Sequence, residues 1–312
     1  LVLAGFPDRV ARRRAAGEPG AVMVGGSGVV LAPESVVREA ELFVAVDVEA
    51  TERGEARVRL ASAVELAWLD PAALGEDRAV VWDPARERVV TRLCRRYLDL
   101  VLEERVRTDV DPAVAGSILA DAALADPACA RAIGERDPAL LARLRFLARA
   151  MPELGLPDVD ELFRDAVRIC AAGCTSLAAL RRADVPGAVR GLLTHAQRRA
   201  LEREAPVRYR LPSGRETPIA YRADRSPTAA ARIQELFGLA ATPRLAAGRV
   251  PLVLELLAPN QRPVQVTDDL ASFWRTTYAE VRAELRGRYP RHPWPEDPWT
   301  AQPTSRAKRR AR

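Results

Sequence analysis

Residues 287–298 read GRYPRHPWPEDP and gather the side chains with the most recognition chemistry in the chain. Tyr289 and Trp294 offer π faces, His292 an imidazole that titrates near neutrality, and Arg288 and Arg291 two guanidiniums suited to phosphate or carboxylate. Aromatics interleaved with arginine make platforms for single strands, because bases stack while cations hold the backbone; a partner peptide could use the same surface. The same residues also fit a purely structural role. Pro290, Pro293, Pro295 and Pro298 forbid helix continuation, so the segment can be a stop whose aromatics clamp back on the domain. The sequence leaves both open. Upstream, Arg275, Arg282 and Arg286 lie seven and four residues apart on the flank of one helix, a second set that could meet phosphates.

Catalytic chemistry is harder to assemble. A phosphate-binding loop needs Gly-x-x-x-x-Gly-Lys-Ser/Thr, and the one lysine, Lys308, stands in the tail. GGSG (25–28) is followed by neither a lysine nor a helix. Ser176 or Ser213 would have to meet His195 for a Ser–His–Asp arrangement, and no spacing argues for that. Glu202/Glu204 and Glu296/Asp297 look like solvated charge with a weak acid–base option. Cys170 and Cys174 are one helical turn apart, but zinc needs two more ligands and only His195 and His292 are on offer, so a buried apolar face is the simpler reading. We read no catalytic centre, no metal and no cofactor in this chain.

The elements that carry these residues fall into three stretches. Residues 1–110 alternate in strand fashion. AVMV and VVLA flank the glycine turn, ELFVAVDVEA places Leu42, Val44, Val46 and Val48 on one face, and AVVWDPARERVV is a hairpin with Pro84 in its turn. Residues 111–204 switch to helical period: Asp111–Pro112 and Asp137–Pro138 are helix starts, and Gly173 is a stop. Residues 205–300 are mixed, with a hairpin around PSGRE, a helix over PTAAARIQELFGL closed by Gly238, two strands joined by APNQRP, and a long helix from DDLASFW capped by Thr267 or Asp268 and ended by Gly287. Residues 301–312 are polar and basic and are expected to be disordered. The fold class read from this is multidomain α+β: an antiparallel β-barrel of OB type at the N-terminus, a central all-helical module and a C-terminal mixed α/β domain.

Of the 312 residues, 48% are hydrophobic and 29% charged, and the net charge is +6. That describes a globular chain with a modest preference for polyanions. No run of about 18 apolar residues argues for a membrane span. Four scattered cysteines fit a reducing cytoplasm. The start at LVLAGFPDRV, without methionine, reads as the middle of a longer protein.

Beyond patterning, the stretch from Leu211 to Pro298, with LPSGRETPIAY, RIQELFGLAATPRLAAGRVPLVLELLAPNQRPVQVT and the final helix through GRYPRHPWPEDP, closely resembles the C-terminal domain of bacterial HrpB-type DEAH-box ATP-dependent helicases. LVLAGFPDRVARRR, DPARERVVTRL and SLAALRRADV are similar to upstream parts of the same family. The resemblance implies a parent protein with two RecA-like lobes that use ATP and magnesium and move along RNA. Those lobes lie outside these residues, so the chain alone should not hydrolyse ATP. It also implies an OB-fold beside the RNA channel, for which Arg9, Arg12, Arg13, Arg14, Arg57 and Arg59 are candidate single-strand RNA contacts. Each is otherwise an ordinary surface arginine. A protein partner recruited by the proline–aromatic segment is the alternative function.

Overall fold

The computed structural model describes residues 1–51 and 54–305. The chain forms two compact units: Leu1–Ala122 with Ala171–Arg181, and Ala123–Cys170 with Arg182–Arg312. Of the expected disordered tail, residues 306–312 lie outside the described residues, whereas the Thr304 N–H donates to Gln234 O at 2.9 Å.

In the first unit, a short helix α1 (Val2–Gly5) precedes five strands: β1 (Val10–Arg13), β2 (Gly20–Met23), β3 (Gly28–Leu31), β4 (Leu42–Glu49) and β5 (Ala56–Val64). They close into a barrel in the order β1-β2-β3-β5-β4. Gly25 and Gly26 take φ +86° and +74° in the β2–β3 turn, a conformation that glycine adopts without steric cost. The expected antiparallel barrel is corrected at one seam, because β3 and β5 run parallel, with Val29 opposite Ala56 and Leu31 opposite Val58. An odd number of strands cannot alternate direction all the way round a closed ring.

The barrel interior is filled by Ala11, Ala21, Val29, Leu31, Phe43, Ala45 and Val58. The outer side of β4 is apolar too. Leu42 and Val44 join Val10, Val64 and Leu69 in a second cluster with Tyr97, Leu100 and Leu102. Those last three belong to a separate sheet, β6 (Leu74–Asp83), β7 (Arg88–Tyr97) and β8 (Leu100–Arg107). In its β6–β7 turn, Asp83 accepts from the Ala85 and Arg86 amides at 3.0 and 3.2 Å, the Asx device that DPAR announces.

Helix α2 (Pro112–Ala125) starts as expected, with Asp111 accepting from Ala113 N at 2.9 Å. The chain then leaves this unit and returns. Val89 N donates to Thr175 O at 2.9 Å, Leu177 N donates to Glu87 O at 3.0 Å, and Arg181 pairs with Glu87 at 3.1 Å. A Cβ on Gly116 of α2 would lie 2.7 Å from Ala171 O, so only glycine admits this close approach.

The second unit contains α3 (Pro127–Gly134), α4 (Pro138–Ala150), α5 (Val159–Ala171), α7 (Val185–Leu192) and α8 (His195–Glu204), with the short α6 (Leu177–Leu180) belonging to the first. Asp126, Asp137 and Asp184 each cap a helix that has proline in its first turn. Arg143 of α4 is buried and donates to the C-terminal carbonyls of α8, Leu201 O at 2.9 Å and Ala205 O at 2.5 Å. A cation there also meets the negative end of that helix.

A five-stranded sheet follows in the order β15-β14-β11-β10-β9, from β9 (Arg208–Arg210), β10 (Glu216–Ala220), β11 (Thr228–Arg232), β14 (Val253–Leu257) and β15 (Pro263–Thr267), with β12 (Arg244–Leu245) and β13 (Val250–Pro251) as a separate pair. The helix expected over 227–238 is corrected. TAAAR is strand β11, running antiparallel to β10 and parallel to β14, and a 3-10 turn over Ile233–Glu235 carries the chain on. Alanine's helix propensity, a fraction of a kcal/mol per residue, yields to two flanking ladders.

The last helix is broken into α9 (Leu270–Ser272), a π-turn Phe273–Thr277 and α10 (Tyr278–Arg288), capped by Asp269 rather than Thr267 or Asp268. The extra residue in the π-turn keeps Phe273, Trp274 and Tyr278 on one buried face, where ring centroids lie 5.0–6.3 Å apart.

Replacing Gly116 by alanine should lower stability by about 1–3 kcal/mol, as overpacking does. An exposed helical glycine would instead gain about 1 kcal/mol from the same change. The denaturant midpoint, at unchanged slope, distinguishes the two signs.

Candidate nucleic-acid interface

Charge is unevenly divided. The first unit has 17 arginines against 21 carboxylates, while the second has 30 arginines and Lys308 against 21. The barrel arginines named from sequence are mostly engaged. Arg13 is buried and donates to Ala40 O at 2.8 Å, Val37 O at 2.7 Å and Glu18 O, so it is a structural brace. Arg9 donates to Val46 O at 3.0 Å and lies over the Phe6 ring. Arg12 pairs with Glu41 at 3.0 Å and Arg59 with Glu49 at 2.7 Å. Arg14 pairs with Glu55, whose hydrogen-bonded carboxylate raises the guanidinium pKa further. Arg57 is exposed on β5 and, among the described residues, is the one of the six whose side chain has neither an ion pair nor a hydrogen bond.

In the second unit the long-helix arginines separate by use. Arg275 and Arg286 are exposed and unpaired among the described residues. Arg282 turns inward: Nε donates to Trp294 O at 3.0 Å and Nη2 meets Glu296 at 2.9 Å. Arg288 is exposed, 3.9 Å from Glu284.

The proline segment folds back on this helix. Trp294 is 8% exposed and its indole N–H donates to Tyr289 O at 3.0 Å. Tyr278 donates its hydroxyl to Pro295 O at 2.9 Å, and burial pushes that phenol well above its usual range. Pro298 O accepts from Gly238 N at 2.9 Å. Trp294 is therefore a clamp, with no free face for a base. Tyr289 and His292 stay half-exposed with their rings edge to face at 6.4 Å, and Arg291 is exposed. Burial, then Arg232 and Arg291, hold the His292 pKa below the ordinary histidine value. Arg232 was not legible as a neighbour, since it ends a stretch whose sequence reads as helix.

The residues weighed for catalysis lie on separate elements or are otherwise engaged. Ser176 caps α6, Ser213 sits in the β9–β10 turn, and His195 begins α8. Glu202 pairs with Arg143 at 3.2 Å, and Glu204 accepts from Ala247 N at 2.6 Å, its carboxylate pKa lowered first by Arg203. Asp297 accepts from Trp299 N and Thr300 Oγ1 at 2.8 and 2.6 Å. The GGSG turn is no phosphate cradle, because Asp99 takes its Gly25 N–H. Among the described residues, no three His, Cys, Asp or Glu side chains gather as a metal site, and no single helix is long and apolar enough to cross a membrane.

A family described as the ATP-dependent helicase C-terminal region, HrpB_C, matches residues 167–298. The chain is 35% identical over 325 positions to the ATP-dependent RNA helicase HrpB of Escherichia coli strain K12, covering 99% of this chain and 39% of that protein. The crystal structure of the E. coli DExH-box NTPase HrpB superposes with a TM-score of 0.59 at 32% identity, over 98% of this chain and 39% of that one. The chain matches the C-terminal portion of HrpB-type helicases. It spans about four tenths of the length of the HrpB relatives it matches.

In this chain, Trp294→Ala should cost about 3–5 kcal/mol, the usual loss for emptying a buried tryptophan site, read as a shifted urea midpoint. A tryptophan presented for stacking would leave stability within about 0.5 kcal/mol.

Proposed function

We propose that this chain is the accessory C-terminal half of an ATP-dependent RNA helicase, supplying contacts along the nucleic-acid path and bracing RecA-like lobes carried in the same polypeptide. The observation that carries this is the alignment of 99% of the chain with a protein named as an ATP-dependent RNA helicase. ATP and magnesium belong to the lobes, and the setting is the cytoplasm. The barrel supports the reading. Five strands in the order β1-β2-β3-β5-β4 make a small closed barrel of OB type, a fold that often binds single strands between its β1–β2 and β4–β5 loops. Here Arg14 and Glu55 join those two loops across Gly28 of β3, so the pair narrows that mouth.

The RNA contacts are assigned by what is left unpaired. A guanidinium already held by a carboxylate gains little from phosphate, because it must exchange one anion for another. Arg57 on the barrel and Arg275 and Arg286 on the last helix keep that capacity, whereas Arg12 and Arg59 do not.

The test is titration of a fluorescent single-stranded RNA at several salt concentrations. Arg275→Ala with Arg286→Ala should weaken binding and reduce the log–log salt slope by about one for each phosphate that is no longer neutralised. Arg12→Ala should leave both nearly unchanged. Equal weakening from the paired and unpaired arginines, or a flat titration of the unaltered chain at low salt, sinks the assignment.

A further inference from the structure

The outer wall of the barrel has a bare patch, and an ion pair lies across it. Ala21, Val29 and Leu31 fill the barrel interior, so the alternation of β2 and β3 turns Gly20, Val22, Gly28 and Val30 outward. Register sets Gly20 opposite Val30 and Gly28 opposite Val22. Two of these four positions carry no side chain, and the strand backbone there is covered only by what reaches over from its neighbours. Neither glycine has a positive φ, so the backbone conformation does not demand them. Glycine within a strand instead marks a place where a ligand or another group comes close.

In the free protein that group is the pair of Arg14, which follows β1, and Glu55, which precedes β5. A Cβ added to Gly28 would collide with the Glu55 carboxylate and come within 2.9 Å of Arg14 Nη2, and one added to Gly20 would lie 3.6 Å from Arg14 Nη1. The Thr51 hydroxyl donates to Glu55 O at 3.1 Å and ties down the backbone that carries the carboxylate. Both side chains keep contact with water, 46% for Arg14 and 33% for Glu55, and an ion pair so placed opens at little cost.

Opened, the patch has the chemistry of a nucleotide seat. Arg14 N donates to Gly20 O at 3.0 Å, Gly20 lies opposite Val30, and Val30 lies opposite Arg57. One row across the wall thus runs from a guanidinium, over a bare glycine and a half-buried valine, to a second guanidinium that is exposed and unpaired among the described residues. Guanidiniums suit phosphates, and the valine and bare backbone suit the apolar face of a sugar or base. Small barrels of OB type bind strands on this β2–β3 face.

We propose that this patch seats one nucleotide of a single-stranded RNA and that the Arg14–Glu55 pair is its latch. The strand takes the place of the Glu55 carboxylate on Arg14 and lays its sugar or base over Gly20, Gly28 and Val30. The site rests on the reading of this chain as an RNA-contacting one and adds to it a location and a residue that opposes binding. Glu55 repels phosphate and covers the floor, so only a ligand that offers Arg14 an anion and fits against bare backbone opens it.

The test is titration of the whole chain with a fluorescent oligouridylate at one low salt concentration. Glu55→Gln should tighten binding by up to about fivefold, the strength of an exposed ion pair. This is a gain, which misfolding cannot produce. Glu103→Gln likewise takes one carboxylate from an exposed arginine, Arg105 at 2.6 Å, and should leave binding nearly unchanged. Gly20→Val places a side chain on the floor at a strand position that accepts one. It should weaken binding several-fold with the melting temperature kept or raised. Combined with Gly20→Val, Glu55→Gln should bring no gain, because residues that share a site are not additive. Equal tightening from Glu55→Gln and Glu103→Gln would show that net charge alone matters, and the latch is then wrong. If Gly20→Val binds as the unaltered chain does, or if the two changes add, the seat is wrong. In these cases the unaltered chain still binds and the broader function survives. If it binds no oligouridylate, both fall.

Discussion

An arginine-rich chain has to place its guanidiniums, and that single demand organises this protein. Forty-seven arginines share 42 carboxylates, and a guanidinium removed from water without a partner is costly. Some therefore become internal struts. Arg13 ties the barrel's β1 to the 33–40 loop through carbonyls, and Arg143 closes the end of α8 in the same way. Others meet carboxylates across strands, as Arg12 and Arg59 do. Many of the rest, Arg57, Arg275 and Arg286 among them, keep exposed guanidiniums in water, and the excess of positive charge falls in the second unit.

The aromatic residues solve a complementary problem. Phe273, Trp274 and Tyr278 lie where the backbone widens by a residue, and Trp274 and Tyr278 pack against Phe237. That packing sets the direction of α10, and α10 in turn receives Trp294 and Pro295. The proline segment is thus ordered by what lies beneath it, which leaves Arg291 and His292 at its rim, and Thr304 and Ser305 meet Gln234 and Arg232.

Much of the fold could be read from sequence where the signal is local. Asp–Pro helix starts, the glycine turn and the DPAR turn are each decided within a few residues, whereas the single face expected for Leu42, Val44, Val46 and Val48 is broken by bulges beside Asp47 that put Val48 with Phe43 and Ala45. What failed was decided at long range. TAAAR prefers helix in isolation and becomes β11 only because β10 and β14 flank it. The π-turn leaves no mark in the apolar spacing. The site was legible as a list of arginines and aromatics but not as a surface, since the partners of Arg12 and Arg14 lie 29 and 41 residues away and Trp294 turned inward. HrpB-type likeness was legible because it rests on dense residue matches rather than on spatial neighbours.

The first unit is assembled from two separated pieces of chain, and this bears on how the protein is made. β7 receives Thr175 and Leu177 at its open end, so its edge stays unpaired there until residues 171–181 leave the ribosome. Folding from the N-terminus cannot finish the first unit before 123–170 has been synthesised. The barrel, whose five strands are contiguous, can close early and wait. The three-stranded sheet is the part left exposed during translation, the place where a chaperone would act and where a stalled chain would aggregate first.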